Sequence, residues 1–126
     1  MNVLVDSSVW VAHFKQRDDR LVRLLETGVV LCHPYVVVEV ACGTPPARRA
    51  VVRMLSELNR TRVASPEELL VLIDERDLFG RGCGFVDVSL LAGALLEEHT
   101  LLWTHDKPLA RAALELGRCY RPEFHA

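Results

Sequence analysis

The sequence lacks any hydrophobic run long enough to cross a membrane. Its longest uninterrupted apolar stretch, Leu69 to Ile73, falls far short of the roughly 20 residues that a spanning helix needs. The opening residues, MNVLVDSSVW, contain neither a basic segment nor a small-residue cleavage pattern, so they do not resemble a secretory signal. The sequence therefore predicts a cytoplasmic protein.

Clustered cysteines are also lacking. The four cysteines are scattered, with no CxxC pair and no Cys/His group at zinc spacing; they are Cys32, Cys42, Cys83 and Cys119. A structural zinc site is therefore not expected. In a reducing compartment we expect free, mostly buried thiols.

The chain has no strong charge of either sign. Fifteen lysines and arginines face seventeen aspartates and glutamates, which gives a formal net charge of −2. This balance neither supports nor excludes nucleic acid, because only local patches bear on that question. There is also no internal repeat, linker or low-complexity tract. Half of the 126 residues are hydrophobic, so we expect one domain, residues 1–126, around a single core.

What the sequence does contain is an alternation of short β-branched segments with longer amphipathic ones. Strands are predicted at 2–5, 29–33, 61–65 and 100–104, with a last short strand within 118–124. Helices are predicted at 9–14, 18–27, 47–59, 66–79, 87–99 and 106–117. Such alternation predicts an α/β fold whose parallel sheet is covered on both faces.

Three aspartates stand where strands give way to helices. Asp6 follows the first strand, Asp106 follows the strand LLWT, and Asp87 follows the loop GRGCGF. Ligand sites of open α/β sheets lie beyond the carboxyl ends of the strands. Aspartate is also a preferred helix N-cap, which is the simpler explanation for each residue alone. Neighbouring hydroxyls of Ser7, Ser8 and Thr104 offer uncharged caps, which favours a further role for the acids.

Glu39 interrupts the apolar segment PYVVVEVACG. An unpaired buried carboxylate costs several kcal/mol, so the glutamate faces solvent, has a cationic partner, or belongs to a site that requires negative charge. The β-branched residues favour a strand, whereas Pro34 and Gly43 at the two ends suit a helix. The residues alone do not choose between these alternatives.

Converging carboxylates would repel one another without a cation. Hard oxygen ligands suit Mg²⁺ or Mn²⁺, ions that keep bound waters and contact phosphate oxygens. Water activated by such an ion attacks phosphodiesters without a Ser, Cys or His nucleophile. The four acids therefore indicate phosphoryl transfer or phosphodiester hydrolysis.

Four segments in this order resemble a PIN-domain ribonuclease, and more narrowly a VapC-type toxin of a bacterial toxin–antitoxin pair. The segments are VLVDSSVW, VVVEVA, GFVDVSLLAGALL and LLWTHDKPLARAA, and the resemblance covers nearly the whole chain. It implies a PIN-like three-layer α/β/α sandwich with a central, mostly parallel sheet. It also implies a Mg²⁺- or Mn²⁺-dependent endoribonuclease.

The same resemblance assigns roles to residues. Asp6, Glu39, Asp87 and Asp106 correspond to the catalytic, metal-binding acids, and Ser7, Ser8 and Thr104 to the hydroxyls that support them. The segment around Glu39 would be helical, with the glutamate facing the acidic pocket. Expected partners are an RNA substrate such as tRNA or rRNA, a second copy of the chain, and a VapB-like antitoxin whose tail places a basic side chain among the acids.

One position departs from the family pattern. Many relatives carry another acid two residues after the one matched by Asp106, and here that place is Pro108. The substitution weakens the case for a second metal ion and leaves the first unaffected.

Basic residues offer candidate RNA contacts. Arg48, Arg49 and Arg53 lie in one predicted helix, and Lys107 follows Asp106. Positive side chains that track phosphates supply most non-specific affinity for nucleic acid, although a solvated helix face is the simpler explanation for the arginines. Trp10 and Trp103, each in an apolar run, are expected in the core rather than as stacking platforms.

Two alternatives remain open. A catalytically silent PIN scaffold would bind partners without cutting RNA. A receiver-like phospho-acceptor domain, of similar size and alternation, would need an acidic pair after the first strand and a mid-chain strand ending in aspartate. Serines follow Asp6, and no predicted mid-chain strand ends in aspartate.

Overall fold

The central sheet is formed by four parallel strands. The computed structural model describes residues 1–125, and in this range the strands are β1 (Asn2–Val5), β2 (Val30–Cys32), β3 (Asn59–Arg60) and β4 (Thr100–Trp103). Their spatial order is β3-β2-β1-β4. Strand β1 pairs with β2 through Val3 and Val30, and with β4 through Val5 and Trp103. The predicted central parallel sheet is confirmed.

Helices cover both faces of this sheet. Residues 1–125 contain α1 (Ser7–Lys15), α2 (Asp19–Glu26), α3 (Pro34–Ala41), α4 (Arg48–Glu57), α5 (Pro66–Glu75), α6 (Phe85–Leu96) and α7 (Lys107–Glu115). Helices α1, α3 and α4 pack together, α5 packs on α6, and both α6 and α7 contact β4. This is the expected three-layer α/β/α sandwich. No helix within the described residues is long and apolar enough to cross a membrane.

Short sequence signals explain where several helices begin and end. A capping box opens α5: the Ser65 hydroxyl accepts from the Glu68 backbone N–H, and the Glu68 carboxylate accepts from the Ser65 N–H. Gly28, with φ of +74°, ends the turn after α2 in a conformation that glycine adopts without strain.

The core lies between the sheet and its helices. Trp10 is fully buried and Trp103 is 3% exposed, which confirms their expected packing role. They join aliphatic residues of β1, β4 and α6, such as Leu4, Leu102 and Leu90. A smaller apolar cluster lies between α5 and α6. These packed layers fix the positions at which the strands end.

Three sequence predictions are wrong in detail. The third strand is Asn59–Arg60 rather than 61–65, because pairing with β2, not β propensity, defines it. The expected last strand within 118–124 reduces to a single bridge between Leu102 and Cys119. Helix α5 ends at Glu75 rather than near residue 79, and Asp77 then takes a left-handed φ of +52°.

The thiols differ from expectation in burial. All four cysteines are free, as predicted. Only Cys32 is buried; Cys83 and Cys119 are partly exposed, and Cys42 is exposed. The prediction that most are buried is therefore wrong.

The chain order sets a topological switch point at the carboxyl edge of the sheet. From β1 the chain moves first to β2 on one side, and β4 is later added on the other side of β1. The carboxyl ends of β1 and β4 therefore lie at the point where the strand order reverses. Open α/β sheets bind ligands at this kind of position. Asp6 and Thr104 directly follow these two strands.

Candidate active site

Asp6 is held by hydrogen-bond donors on both carboxylate oxygens. It is 6% exposed and forms the N-cap of α1. The Ser7 backbone N–H donates to Oδ1 at 2.8 Å, while the hydroxyls of Ser8 and Thr104 each donate to Oδ2 at 2.7 Å. This number of donors compensates the loss of water around a buried carboxylate. The orientation of Asp6 is therefore fixed.

A chain of hydroxyls connects Asp6 to Asp106. The Asp106 N–H donates to Thr104 Oγ1 at 3.0 Å, and the His105 N–H donates to Ser8 Oγ at 3.0 Å. Asp106 itself caps α7, because its Oδ2 accepts from the Leu109 N–H at 3.0 Å. The loop after β4 is thus joined to the loop after β1 by side chains of both segments.

Glu39 reaches the same end of the sheet from α3. Its Oε1 accepts from the Ser7 hydroxyl at 2.9 Å. Within α3, Val36 and Val40 are buried whereas Glu39 is on the exposed side. Partial burial and the negative charges of Asp6 and Asp87 raise the pKa of Glu39, and the Ser7 hydroxyl opposes them. The segment is helical, as the family resemblance implied, and the glutamate lies beside the other acids.

Asp87 is the third residue of α6. Its Oδ2 accepts from the Gly84 N–H at 3.1 Å. Partial burial, together with the charges of Asp106 and Asp6, raises the pKa of Asp87 despite that hydrogen bond. Four acids from different elements therefore lie near enough for the charge of Asp6 to bear on Glu39 and Asp87, and for the charge of Asp106 to bear on Asp87. We call Asp6, Glu39, Asp87 and Asp106 the carboxylate cluster.

The structure contradicts one prediction about helix capping. The sequence predicts that the hydroxyls of Ser7, Ser8 and Thr104 can cap the helices, so that the aspartates are not needed as caps. Instead Asp6 and Asp106 are themselves the N-caps of α1 and α7. The hydroxyls donate to the carboxylates. Asp87 does not precede its helix, since α6 begins at Phe85.

The donor chemistry of the carboxylate cluster fits a hard divalent cation. All its potential ligands are carboxylate oxygens, and none of the four forms an ion pair with Lys, Arg or His within residues 1–125. Over the same residues, no three Asp, Glu, His or Cys side chains are yet arranged to share one metal ion. The four like charges have no positive partner, and a bound cation would supply one.

The candidate RNA-binding residues lie at the surface. Arg49, Arg53 and Lys107 are exposed, and the Arg48 guanidinium donates from Nε to the Ala41 carbonyl at 2.8 Å. Arg48 therefore has a structural role in joining α4 to the end of α3. Their contact with RNA stays a prediction.

Pro108 and Cys83 complete the surroundings of the cluster. Pro108 lies in the first turn of α7 and packs against Gly82, where an added Cβ would come within 3.3 Å of its ring. Burial and the charges of Asp87 and Asp106 raise the pKa of the Cys83 thiol. The sequence analysis missed Cys83 as a neighbour of the acids. Its position four residues before Asp87 was the available signal.

The strand order and the acids at the strand ends define a PIN fold. A family model described as PIN domain matches residues 3–115, and the chain therefore belongs to the PIN domain family. The chain is 42% identical over 115 residues to Ribonuclease VapC32 of Mycobacterium tuberculosis (strain CDC 1551 / Oshkosh), covering 91% of this chain and 93% of the relative. The same values hold for Ribonuclease VapC32 of strain ATCC 25618 / H37Rv. The resemblance to VapC-type PIN ribonucleases is confirmed.

Proposed function

We propose that this protein is a metal-dependent endoribonuclease that acts as a VapC-like toxin. The observation that carries the proposal is the carboxylate cluster, in which partial burial, with a smaller contribution from neighbouring negative charges, raises the pKa values of Glu39 and Asp87. A protein gains nothing in stability from such repulsion, so a cation is the natural counterpart. The similarity to Ribonuclease VapC32 supports RNA as the substrate.

The four carboxylates would hold the ion. A bound Mg²⁺ or Mn²⁺ would supply an activated water for attack on the phosphodiester. Asp6 is already oriented by Ser8 and Thr104, and Glu39 is oriented by Ser7. Glu39 and Asp87, which each accept a single hydrogen bond, would complete the set of ligands. The three hydroxyls thus act as positioning groups, as partners behind metal ligands commonly do.

Positive side chains would hold the RNA backbone. Arg49, Arg53 and Lys107 are exposed, so their charges are available to phosphates. Arg48 would add charge at the start of α4 while still bonded to Ala41. Contacts of this kind supply affinity without reading sequence.

Exposed apolar side chains support the proposal that the protein binds other protein chains. Leu70 is 64%, Phe79 is 64% and Phe85 is 59% exposed, a substantial apolar surface for one small domain. We propose a homodimer and a cognate VapB-like antitoxin as the partners. A basic antitoxin side chain placed in the carboxylate cluster would substitute for the cation and exclude RNA.

The test is cleavage of a panel of tRNA and rRNA with Mg²⁺, Mn²⁺ or EDTA. Wild type should cut only with a metal ion. Asp6→Asn and Asp87→Asn should each lower the rate by about 100-fold or more, the order lost when one charge-stabilising group is removed. Asp74→Asn, which changes an exposed acid of α5, is the matched control and should cut normally.

The silent scaffold remains the second candidate function. It would be favoured if wild type cut no RNA while still binding its partners. The receiver-like reading lacks support, because the chain belongs to the PIN domain family. In addition, β2 and β3 are followed by His33 and Thr61 rather than by an aspartate.

A further inference from the structure

A small cavity opens beside Glu39, between α1 and α3. Its volume is about 190 Å³. Its apolar wall is formed by Val11, Phe14 and Val40, and the loop 43–46, which contains two prolines, closes the opposite side. Cavities that take drug-sized ligands start at about 300 Å³, so this one suits a smaller group, such as one planar ring system.

The cavity walls are already ordered. Phe14 stacks on the buried Trp10, with ring centroids 6.0 Å apart and an angle of 26° between the planes. The Gly43 N–H donates to the Val40 carbonyl at 3.1 Å, and Arg48 Nε donates to the Ala41 carbonyl at 2.8 Å. A ligand would therefore meet a formed surface, with little ordering cost on binding.

The cavity adjoins the carboxylate cluster through one shared residue, Glu39. Glu39 lines the cavity and also accepts from Ser7, the residue next to Asp6. Lys15 also lines the cavity, is exposed, and forms no ion pair within residues 1–125. A molecule that matches this cavity would thus present apolar faces to its walls, a polar edge to the Glu39 carboxylate, and a negative charge to Lys15.

We propose that this cavity binds one unstacked nucleobase of the RNA, adjacent to the phosphodiester held at the carboxylate cluster. The inference rests on the proposed function. A nucleobase has two apolar faces and an edge of N–H donors, and its attached phosphate carries the charge that Lys15 would meet. Proteins read RNA mainly through such splayed bases, stacked on aromatic or apolar side chains. The cavity would then bias cleavage toward particular bases beside the cut.

Binding is tested first without catalysis. Methyl NMR spectra of wild type in EDTA are recorded with each nucleoside 5′-monophosphate, and with ribose 5-phosphate as the baseless control. The methyl signals of Val11 and Val40 should shift with nucleotides and not with ribose 5-phosphate. The methyl signals of Val63, which is 46% exposed outside the cavity, should not move. Equal responses to both ligands would overturn the inference.

Cleavage then tests the base contribution. Val11 is 42% exposed, so Val11→Trp fills the cavity without entering the core, and Val63→Trp is the matched control. Replacing the preferred flanking nucleotide of the RNA with an abasic residue should slow wild type and Val63→Trp about tenfold, the scale of one stacked base. Val11→Trp should cleave intact RNA slowly, and the abasic residue should not lower its rate further.

The experiments distinguish a failure of the proposed function from a failure of the nucleobase inference. If wild type cuts no RNA, the proposed function fails, and only the NMR titration tests whether the cavity binds a nucleobase. If wild type cuts RNA but Val11→Trp behaves like Val63→Trp, the nucleobase inference is wrong and the nuclease stands. If the Val11 and Val40 methyl signals respond to an antitoxin tail peptide and not to nucleotides, the cavity is a protein-docking site instead.

Discussion

Asp6 and Asp87 belong to one carboxylate cluster, yet their surroundings differ. Asp6 is nearly inaccessible and accepts a backbone N–H and two side-chain hydroxyls. Asp87 is half-buried and accepts one backbone N–H, from Gly84. Burial and the charges of Asp106 and Asp6 raise the pKa of Asp87, and a similar combination raises the pKa of Glu39.

The difference separates two parts of the site. Around Asp6 the protein supplies the donors that stabilise a negative charge. Around Glu39 and Asp87 it supplies too few donors for the charge it places there. We therefore propose that Asp6 is the fixed part of the site, and that a cation completes the part formed by Glu39 and Asp87.

Among variants that keep all four acids, the largest expected effect on cleavage follows from removing one donor of Asp6. Thr104→Val deletes the hydroxyl that donates to Asp6 Oδ2 and accepts from the Asp106 N–H. RNA cleavage at saturating metal ion should fall about 10- to 100-fold, as it does when the hydrogen-bond partners behind metal ligands are lost. Thr27→Val, in an exposed turn after α2, controls for the loss of a hydroxyl. Wild-type rates in Thr104→Val would mean that the hydroxyl network does not position Asp6.

Stability in EDTA should change in opposite directions at the two aspartates. Asp6→Ala removes the N-cap of α1 and leaves two hydroxyls without their acceptor, so the free energy of unfolding should fall by about 2 kcal/mol. Asp87→Asn removes a charge that its surroundings disfavour, so the free energy of unfolding should rise by up to about 1 kcal/mol. Urea unfolding of the two variants and wild type measures both changes. Equal losses of unfolding free energy in Asp6→Ala and Asp87→Asn would contradict the proposed difference between the two aspartates.

The pH dependence of the free energy of unfolding tests the same comparison, because a raised pKa fixes the direction of the change. A carboxyl whose pKa is raised by folding is favoured in its protonated form in the native state, so its ionisation destabilises the protein. For Asp87 the penalty is absent well below its ordinary value of 3.8 and develops as pH rises through the raised pKa. The stability advantage of Asp87→Asn over wild type should therefore vanish in acid and be largest at neutral pH. An advantage that grew in acid would contradict the assigned cause.

A smaller effect is expected at an unpaired group away from the cluster. Thr61 is 5% exposed, and its Oγ1 is buried beside Gly93 with no hydrogen-bond partner among residues 1–125. Thr61→Val should raise the free energy of unfolding by about 1 kcal/mol, because a methyl group replaces an unsatisfied hydroxyl. RNA cleavage should be unchanged, unlike in Asp87→Asn. A loss of stability in Thr61→Val would indicate that the hydroxyl is hydrogen-bonded in solution.

Much of this arrangement could be predicted from the sequence. The strands around Asp6 and Asp106 are short β-branched or apolar runs, and parallel pairing brings their carboxyl ends together. Helix α3 could not be predicted from propensity, because its valines favour a strand. It is helical because Pro34 suits the first turn, the His33 imidazole Nδ1 accepts from the Tyr35 N–H, and Val36 and Val40 share one buried face.

Other features depended on tertiary contacts. Strand β3 exists because Asn59 and Arg60 pair with β2, and nothing in the local sequence marks those two residues as a strand. The contrast between Asp6 and Asp87 arises from donors contributed by distant segments, such as Thr104 beside Asp6. A single sequence identifies the four acids but does not reveal which of them is supplied with donors.

The most direct test of the central claim is a calorimetric titration of metal-free protein with Mn²⁺ in buffers of different ionisation enthalpy. The account predicts one binding process in mildly acidic solution that releases protons, since a cation lowers the raised pKa values of Glu39 and Asp87. Binding should be lost in Asp87→Asn and retained in Asp74→Asn. Mn²⁺ binding of wild-type affinity in Asp87→Asn, with no proton release from either protein, would contradict the claim that these carboxylates form a cation site.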